Sequence, residues 1–280
     1  MRLKTPSRLA RLLPLLALAA ALAACDVSVG EGGFNVGMVS GRAQDQWTRS
    51  YTLAAGGRLE IINTNGRIVA EASEGPAVEV TAERVAKAAS DEGARDLLTR
   101  IEMREEAGDA RVRIETRGPS TRGFGGYEVT YTIKVPNGVH VDLRTVNGGV
   151  RLTGLQGEVR ATTTNGGVVG RALRSQHVEG RVTNGGVDVE LLTPLGAEGH
   201  VELGSTNGGV RLTLPADSRA AVSARAVNGG VTVDNLSLTI AGEQSRRRVE
   251  GTLNGGGARI ELSTVNGGVR MTGTQGTPPV

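Results

Sequence analysis

The tripeptide Asn-Gly-Gly starts seven times in the second half of the chain, at Asn147, Asn165, Asn184, Asn207, Asn228, Asn254 and Asn266. The steps between them are 18, 19, 23, 21, 26 and 12 residues. The last two together make 38, or two steps of 19, so Asn254 is an extra turn inside a regular series. Recurrence at a period near 20 restricts the chain to architectures that stack one small unit on the next.

Alignment on the Asn exposes a register. Six residues before it stand Val141, Val159, Val178, Val201, Val222 and Ile260, and four before it Leu143, Ala161, Gly180, Leu203, Ala224 and Leu262. Thr145, Thr163, Val182, Ser205, Ala226 and Thr264 lie two before it. Val150, Val168, Val187, Val210, Val231 and Val269 lie three after it. Arg, Thr, Asp and Glu fill many of the positions between. This is period-two alternation on both sides of a fixed turn, with one face of each short strand directed to a core and the other to water. Asn-Gly-Gly allows the positive φ that a sharp corner needs.

Two stacks satisfy that pattern. Asn-Gly also suits two-residue hairpins, so a meander or sandwich is the alternative. A coil is preferred, because Asn shares the parity of the inward residues before it. Equivalent residues of a parallel stack lie about 4.8 Å apart, and the Asn side chains then form an amide ladder. The fold class expected is all-β, a single-stranded parallel β-solenoid with one short helix inserted in its N-terminal part.

The repeat begins earlier with Leu59, Ile61, Asn63, Asn65 and Ile68 at the same offsets, so the first coil starts near Gly57. Between Asn65 and Asn147 the pattern loosens. Val78 to Ala82, Arg111 to Thr116 and Tyr127 to Val135 read as strands. A helix near 90–105 has Ser90 as its cap, Asp91 and Glu92 in its first turn, and Ala94, Leu97, Leu98 and Ile101 on one face. Its expected role is to cover an open end or edge of the sheet.

The N-terminus carries a different signal. Arg2, Lys4, Arg8 and Arg11 precede an apolar run, Leu12 to Leu22, too short for a spanning helix of about 20 residues. Leu22-Ala23-Ala24-Cys25 resembles the lipobox of bacterial lipoproteins. That resemblance implies a diacylglyceryl thioether on Cys25 and cleavage that leaves Cys25 first. Cys25 is the only cysteine in the chain, so it has no disulfide partner in an exported protein. Acyl chains anchor at about 0.8 kcal/mol per buried methylene. Asp26 resembles an inner-membrane retention signal, a rule that varies between bacterial groups.

The domains expected are therefore 1–24, a lipoprotein signal peptide; 25–46, a flexible tether; 47–136, an N-terminal β part with the helix; 137–273, the repeat solenoid; and 274–280, a disordered tail. Removing the signal leaves 28 Lys and Arg against 29 Asp and Glu, a net charge of −1. The basic precursor thus gives no argument for nucleic-acid binding.

With Gly57 to Gly66, Gly138 to Val150 and Gly251 to Met271 in view, the chain resembles the bacterial β-strand-repeat family DUF4097, related to DUF2807 and often labelled an adhesin family. The resemblance spans about Arg49 to Thr272, and its closing triple-Gly segment is the most specific part. It implies a parallel β-solenoid, an envelope location and no catalytic residues.

Candidate chemistry is sparse. His140, His177 and His200 lack a second His at metal-ligand spacing, so no metal site is expected. Val follows the Gly pair where a calcium-binding roll needs Asp. A glycan-active enzyme needs two carboxyl groups across a sugar. Asp188 and Glu190 share a strand face, with Glu202 considered a coil away, and a solvated acidic face is the simpler reading. Phe34, Trp47, Tyr51, Phe124, Tyr127 and Tyr131 all precede residue 132, so the repeat half offers no ring for stacking.

Arg246-Arg247-Arg248 is the sharpest charge cluster, a solvated loop or a contact for anionic lipid or glycan. Arg144, Arg181 and Arg225, and Arg151, Arg211 and Arg270, are expected to form rows offset by Asp142, Asp188 and Glu261. The reading is a membrane-anchored, non-enzymatic envelope scaffold with no cofactor, binding a glycan, lipid or protein. An envelope-stress sensor is the alternative, and an enzyme the third.

Overall fold

The computed structural model describes residues 28–30, 33–35, 39–120, 125–241 and 245–274. The signal segment, Cys25 and residues 275–280 lie outside them. No helix among the described residues is long and apolar enough to cross a membrane.

The repeats wind as parallel coils, each giving one strand to either of two long sheets of eleven and ten strands. We number the coils in chain order. Coil 1 is Arg58–Ile62 with Ile68–Ser73, and coil 2 is Arg111–Arg117 with Gly125–Pro136. Coil 3 is His140–Asn147 with Val150–Thr153, and coil 4 is Val159–Asn165 with Val168–Leu173. Coil 5 is His177–Asn184 with Val187–Leu191, and coil 6 is His200–Asn207 with Val210–Pro215. Coil 7 is Ala220–Asn228 with Val231–Asp234, and coil 8 is Ala258–Asn266 with Val269–Thr274. Both strands of each coil pair in parallel with the neighbouring coils, in the register expected, so Val141 lies beside Val159 and Asn147 beside Asn165.

The core lies between the two sheets. Val141, Leu143, Val150 and Leu152 of coil 3 and their equivalents along the stack are buried, except Val231 and Val233 of coil 7, which are half-buried. The interior is narrow, so volumes compensate between coils. A side chain added at Gly180 would press on Leu203 of the next coil and on Val187, both 3.1 Å from its Cβ. A small residue in one coil thus accommodates a large one in the next.

The spatial order of the coils differs from the chain order. It runs 2, 1, 3, 4, 5, 6, 8, 7. Coil 1 is clasped between coils 2 and 3, and coil 8 between coils 6 and 7. The register alone does not fix this order, because every coil offers the same edge to its neighbours.

Antiparallel strands close both ends. Glu102–Ala107 pairs with Arg111–Arg117, while Val78–Ala88 and Gly41–Tyr51 extend the other sheet. Arg248–Leu253 and Leu238–Ile240 finish the C-terminal end. Asn254 belongs to the turn after Arg248–Leu253 and not to a coil, in keeping with its place outside the series.

The helix spans Asp91–Thr99, and the Ser90 hydroxyl accepts from the Gly93 amide at 3.1 Å. It packs on Val78–Ala88 and Gly41–Tyr51, the last two strands of their sheet. The flexible tether expected through Gln46 is corrected here. Residues from Gly41 onward form a strand, because eleven residues pair with Val78–Ala88 through the backbone. That pairing needs no apolar alternation, so the sequence pattern did not reveal it.

Candidate interaction surface

The Asn-Gly corners are built by up to three groups with three different partners. First come the Asn side chains. The Nδ2 of Asn147 donates to Oδ1 of Asn65 at 2.8 Å, Asn165 to Asn147 at 2.8 Å, and Asn184 to Asn165 at 2.9 Å. Asn207 donates to Asn184 at 2.8 Å, Asn266 to Asn207 at 2.7 Å, and Asn228 to Asn266 at 2.8 Å. Every amide points the same way along the axis. The ladder ends at Asn65, because coil 2 has no Asn-Gly corner.

Second come the hydroxyls two positions before the Asn. Thr163 donates to the Gly148 carbonyl at 2.7 Å, Ser205 to Gly185 at 2.7 Å, and Thr264 to Gly208 at 2.7 Å. Thr145 does the same to Gly66 at 3.0 Å. Each carbonyl belongs to the first glycine of the neighbouring coil and is turned inward to meet the buried hydroxyl. The register places these positions on the core-directed face, and they are buried. The recurrence of Thr and Ser there was the signal of a polar partner.

Third comes the second glycine. With the neighbouring carbonyl turned inward, the N–H groups of Gly149, Gly167, Gly186, Gly209 and Gly268 find no acceptor among the described residues. Gly149 and Gly167 line one shallow depression along the corner with Tyr127 and Glu128, and Gly167, Gly186, Gly209 and Gly268 line a second with Arg211, Thr232 and Arg270.

Beside the Asn ladder runs an outward row of β-branched residues. In spatial order these are Thr64, Val146, Thr164, Thr183, Thr206, Val265 and Val227. Val146, Val265 and Val227 are 41 %, 41 % and 47 % exposed. This row, the Asn ladder and the glycines form a strip that is uncharged apart from Arg67 at its first coil.

Many of the charges lie on the sheet faces in ion pairs. Glu60 is buried among Arg111, Arg113 and Arg144. Burial pushes its carboxyl up, but the hydrogen bond from Arg111 and the charges of Arg113, Arg111 and Arg144 outweigh it and hold it below the usual carboxylate value. Arg144 also meets Asp142 at 2.6 Å, and Arg181 reaches Glu202 at 2.7 Å. Arg144, Arg181 and Arg225 share a row but are separated by intervening coils. Arg211 and Arg270 lie in adjacent coils.

The carboxylates considered for glycan chemistry do not come together. Asp188 and Glu190 share one strand, but Glu202 lies on the other sheet. Consecutive strands of a coil belong to opposite sheets, so neighbouring coils need not place acids on one face. Asp188 accepts from Arg171 at 2.9 Å and from Arg211 at 3.2 Å. The Arg171 hydrogen bond, against opposing burial and with both Arg charges, lowers its pKa.

His177 and His200 are register neighbours, and His140 accepts at Nδ1 from the Glu158 amide at 2.8 Å. No set of three metal-binding side chains forms among the described residues. The Arg246–Arg248 run lies at the C-terminal end, where the Arg246 carbonyl accepts from Val231 and that of Arg247 from Ala226, both at 2.9 Å. Its backbone closes the stack, and Arg248 pairs with Glu250. Cys25 lies outside the described residues.

Residues 137–272 match the family described as Toastrack DUF4097. No curated protein matches the chain significantly. Among solved structures, a candidate cell adhesion protein from Clostridium sporogenes has a TM-score of 0.50 at 11% identity, over 83% of this chain and 100% of that one. A candidate adhesin from Bacteroides fragilis gives 0.37 at 13% identity, over 81% and 97%. A candidate lipid binding protein from Parabacteroides distasonis gives 0.26 at 8% identity, over 81% and 96%. At 11% identity the first of these speaks to fold alone.

Proposed function

Residues 137–272 belong to the Toastrack DUF4097 family, and from that premise we propose that the protein is a non-enzymatic envelope scaffold whose solenoid corner binds an extended surface polymer. The observation that carries this reading is the strip of exposed Thr and Val, Asn amides and glycine N–H groups that have no acceptor among the described residues. It offers hydrogen-bond donors at intervals of about 4.8 Å beside sheet faces rich in paired charges. Such a row suits a chain rich in hydroxyl and carbonyl acceptors, such as an envelope glycan, more than a compact small molecule, which prefers an enclosed pocket. Lipid on Cys25 holds the protein at the membrane in this reading, and no cofactor takes part.

The test is co-sedimentation of the purified protein with insoluble envelope polymers. A Thr183→Arg, Thr206→Arg variant places charge on the strip without touching the core. Binding is expected to fall about tenfold, which corresponds to 1.4 kcal/mol, with the thermal midpoint unchanged. Undiminished binding by a folded variant rejects the corner as the site. Fatty-acid labelling that persists in Cys25→Ala rejects the anchor. Protease shaving of whole cells separates an outward-facing scaffold, which is removed, from a periplasmic stress sensor, which is spared.

A further inference from the structure

Coil 8 occupies a slot one coil wide. Its strand Ala258–Asn266 pairs in parallel with His200–Asn207 on one side and with Ala220–Asn228 on the other. Val269–Thr274 likewise pairs with Val210–Pro215 and Val231–Asp234. Asn266 bridges Asn207 and Asn228 in the ladder. The chain makes coils 6 and 7 first, and coil 8 fills the space left between them.

The connection to coil 8 is a hinge. Arg248–Leu253 lies on the far side of coil 7, antiparallel to Ala220–Asn228, and coil 8 lies on the near side. The chain crosses between them through Asn254, Gly255, Gly256 and Gly257, whose φ values are 49°, 83°, 82° and 143°. Four consecutive left-handed residues make a reversal that only a Gly-rich segment adopts readily. Asn254 is the one member with a side chain, and it acts as a latch. Its Nδ2 donates to the carbonyls of Ala216 and Ser218, both at 2.8 Å, in the link between coils 6 and 7.

We propose that coil 8 exchanges between copies of this protein, the slot between coils 6 and 7 of one copy accepting residues 258–274 of another. All the pairings of the slot re-form identically in the exchanged state, so only the hinge and its latch distinguish the two arrangements. The partner is therefore a second copy of this chain, joined through its C-terminal segment.

The experiment uses full-length chains in which Cys25, the only native cysteine, is replaced by Ser. Gly204 and Ser263 are register neighbours on coils 6 and 8. A Cβ at Gly204 meets nothing closer than 3.5 Å, so Gly204→Cys is expected to fold. A chain carrying both Gly204→Cys and Ser263→Cys should form an internal disulfide, because adjacent parallel strands bring Cα atoms within disulfide range. Two chains carrying one substitution each are then co-refolded. Exchange predicts a disulfide-linked heterodimer about tenfold above a control mixture of Gly204→Cys with Thr162→Cys. Adding Asn254→Ala to both chains should raise the yield further. Cross-linking at the control level, with the internal disulfide intact, overturns the proposal. Failure of the internal disulfide in a folded chain overturns the slot itself.

Discussion

Asn266 donates its side-chain amide to Asn207 at 2.7 Å although the two lie 59 residues apart in the chain. Asn228, nearer in sequence, sits on the far side of Asn266 and donates to it. The ladder thus joins repeats by position in the stack and not by order of synthesis, and each rung is shared by two coils.

This arrangement grades the cost of removing an Asn. Asn207 makes two ladder bonds, one to Asn184 and one from Asn266. Asn228 stands at the end and makes one. At about 0.5–1.5 kcal/mol per bond, Asn207→Ala should lower unfolding free energy by about 1–3 kcal/mol, and Asn228→Ala by about half of that. Arg211→Ala should change it by less than about 0.5 kcal/mol, since Arg211 is exposed and Asp188 keeps Arg171. Urea melts of the three variants check the order. Equal losses at Asn207 and Arg211 would remove the ladder from the list of stabilising features.

The first glycine of each corner is fixed by its neighbour as well as by its own backbone. At Gly185 φ is 143°, and a Cβ would stand 1.9 Å from the carbonyl oxygen of Gly166. Backbone fills that space, so a side chain would have to push two coils apart. Gly185→Ala is expected to cost more than about 3 kcal/mol and to prevent folding in many conditions. A Cβ at Gly126 meets nothing within 4 Å, and Gly126→Ala should be neutral within about 0.5 kcal/mol. Soluble yield and thermal midpoint distinguish the two.

The buried hydroxyls offer a subtler test. Thr264→Val keeps the shape but leaves the Gly208 carbonyl without its partner, which should cost about 1–2 kcal/mol. Coil 5 carries Val182 at the equivalent place. Val182→Thr supplies a hydroxyl toward the Gly166 carbonyl and should be neutral or stabilising by up to about 1 kcal/mol. The same substitution in opposite directions therefore has opposite signs. A destabilisation by Val182→Thr as large as that of Thr264→Val would show that the hydroxyl bond contributes nothing.

Much of this was legible in the sequence, for a physical reason. Alternation around Asn-Gly-Gly reports burial directly, so the inward residues Val141 to Met271, the register and the ladder all follow from spacing. The helix showed itself through Ser90 and its first-turn acids. Three features left no such mark. The interleaving of coils 1 and 8 is silent, because all coils share one register and Asn266 fits beside Asn207 or Asn228 equally well. The strand Gly41–Tyr51 is held by backbone pairing, which composition does not record. The carbonyls turned toward Thr163 and Thr264 are backbone features, and only the recurring hydroxyl hinted at them. Glu202 parts from Asp188 because distance along the chain says nothing about which of two sheets a strand joins.

Acid should weaken the fold through Glu60. This side chain is only 4 % exposed, and Arg111, Arg113 and Arg144 hold its pKa below the ordinary value of 4.5. A carboxyl with a depressed folded pKa contributes stability that is fully present above the unfolded value. That stability is lost as pH falls below 4.5 and through the lower folded value. Unfolding free energy of the native sequence should therefore fall steeply with acid in that range. Glu60→Gln removes the titration, so its slope there should be shallower. At neutral pH the variant should be less stable by at least about 1 kcal/mol, because three guanidinium groups then face a neutral amide. The two curves should converge toward low pH, where Glu60 is protonated in the native sequence as well. Parallel curves across that range would place the acid sensitivity elsewhere, with Asp188, held low first by its hydrogen bond from Arg171, as the next group to replace.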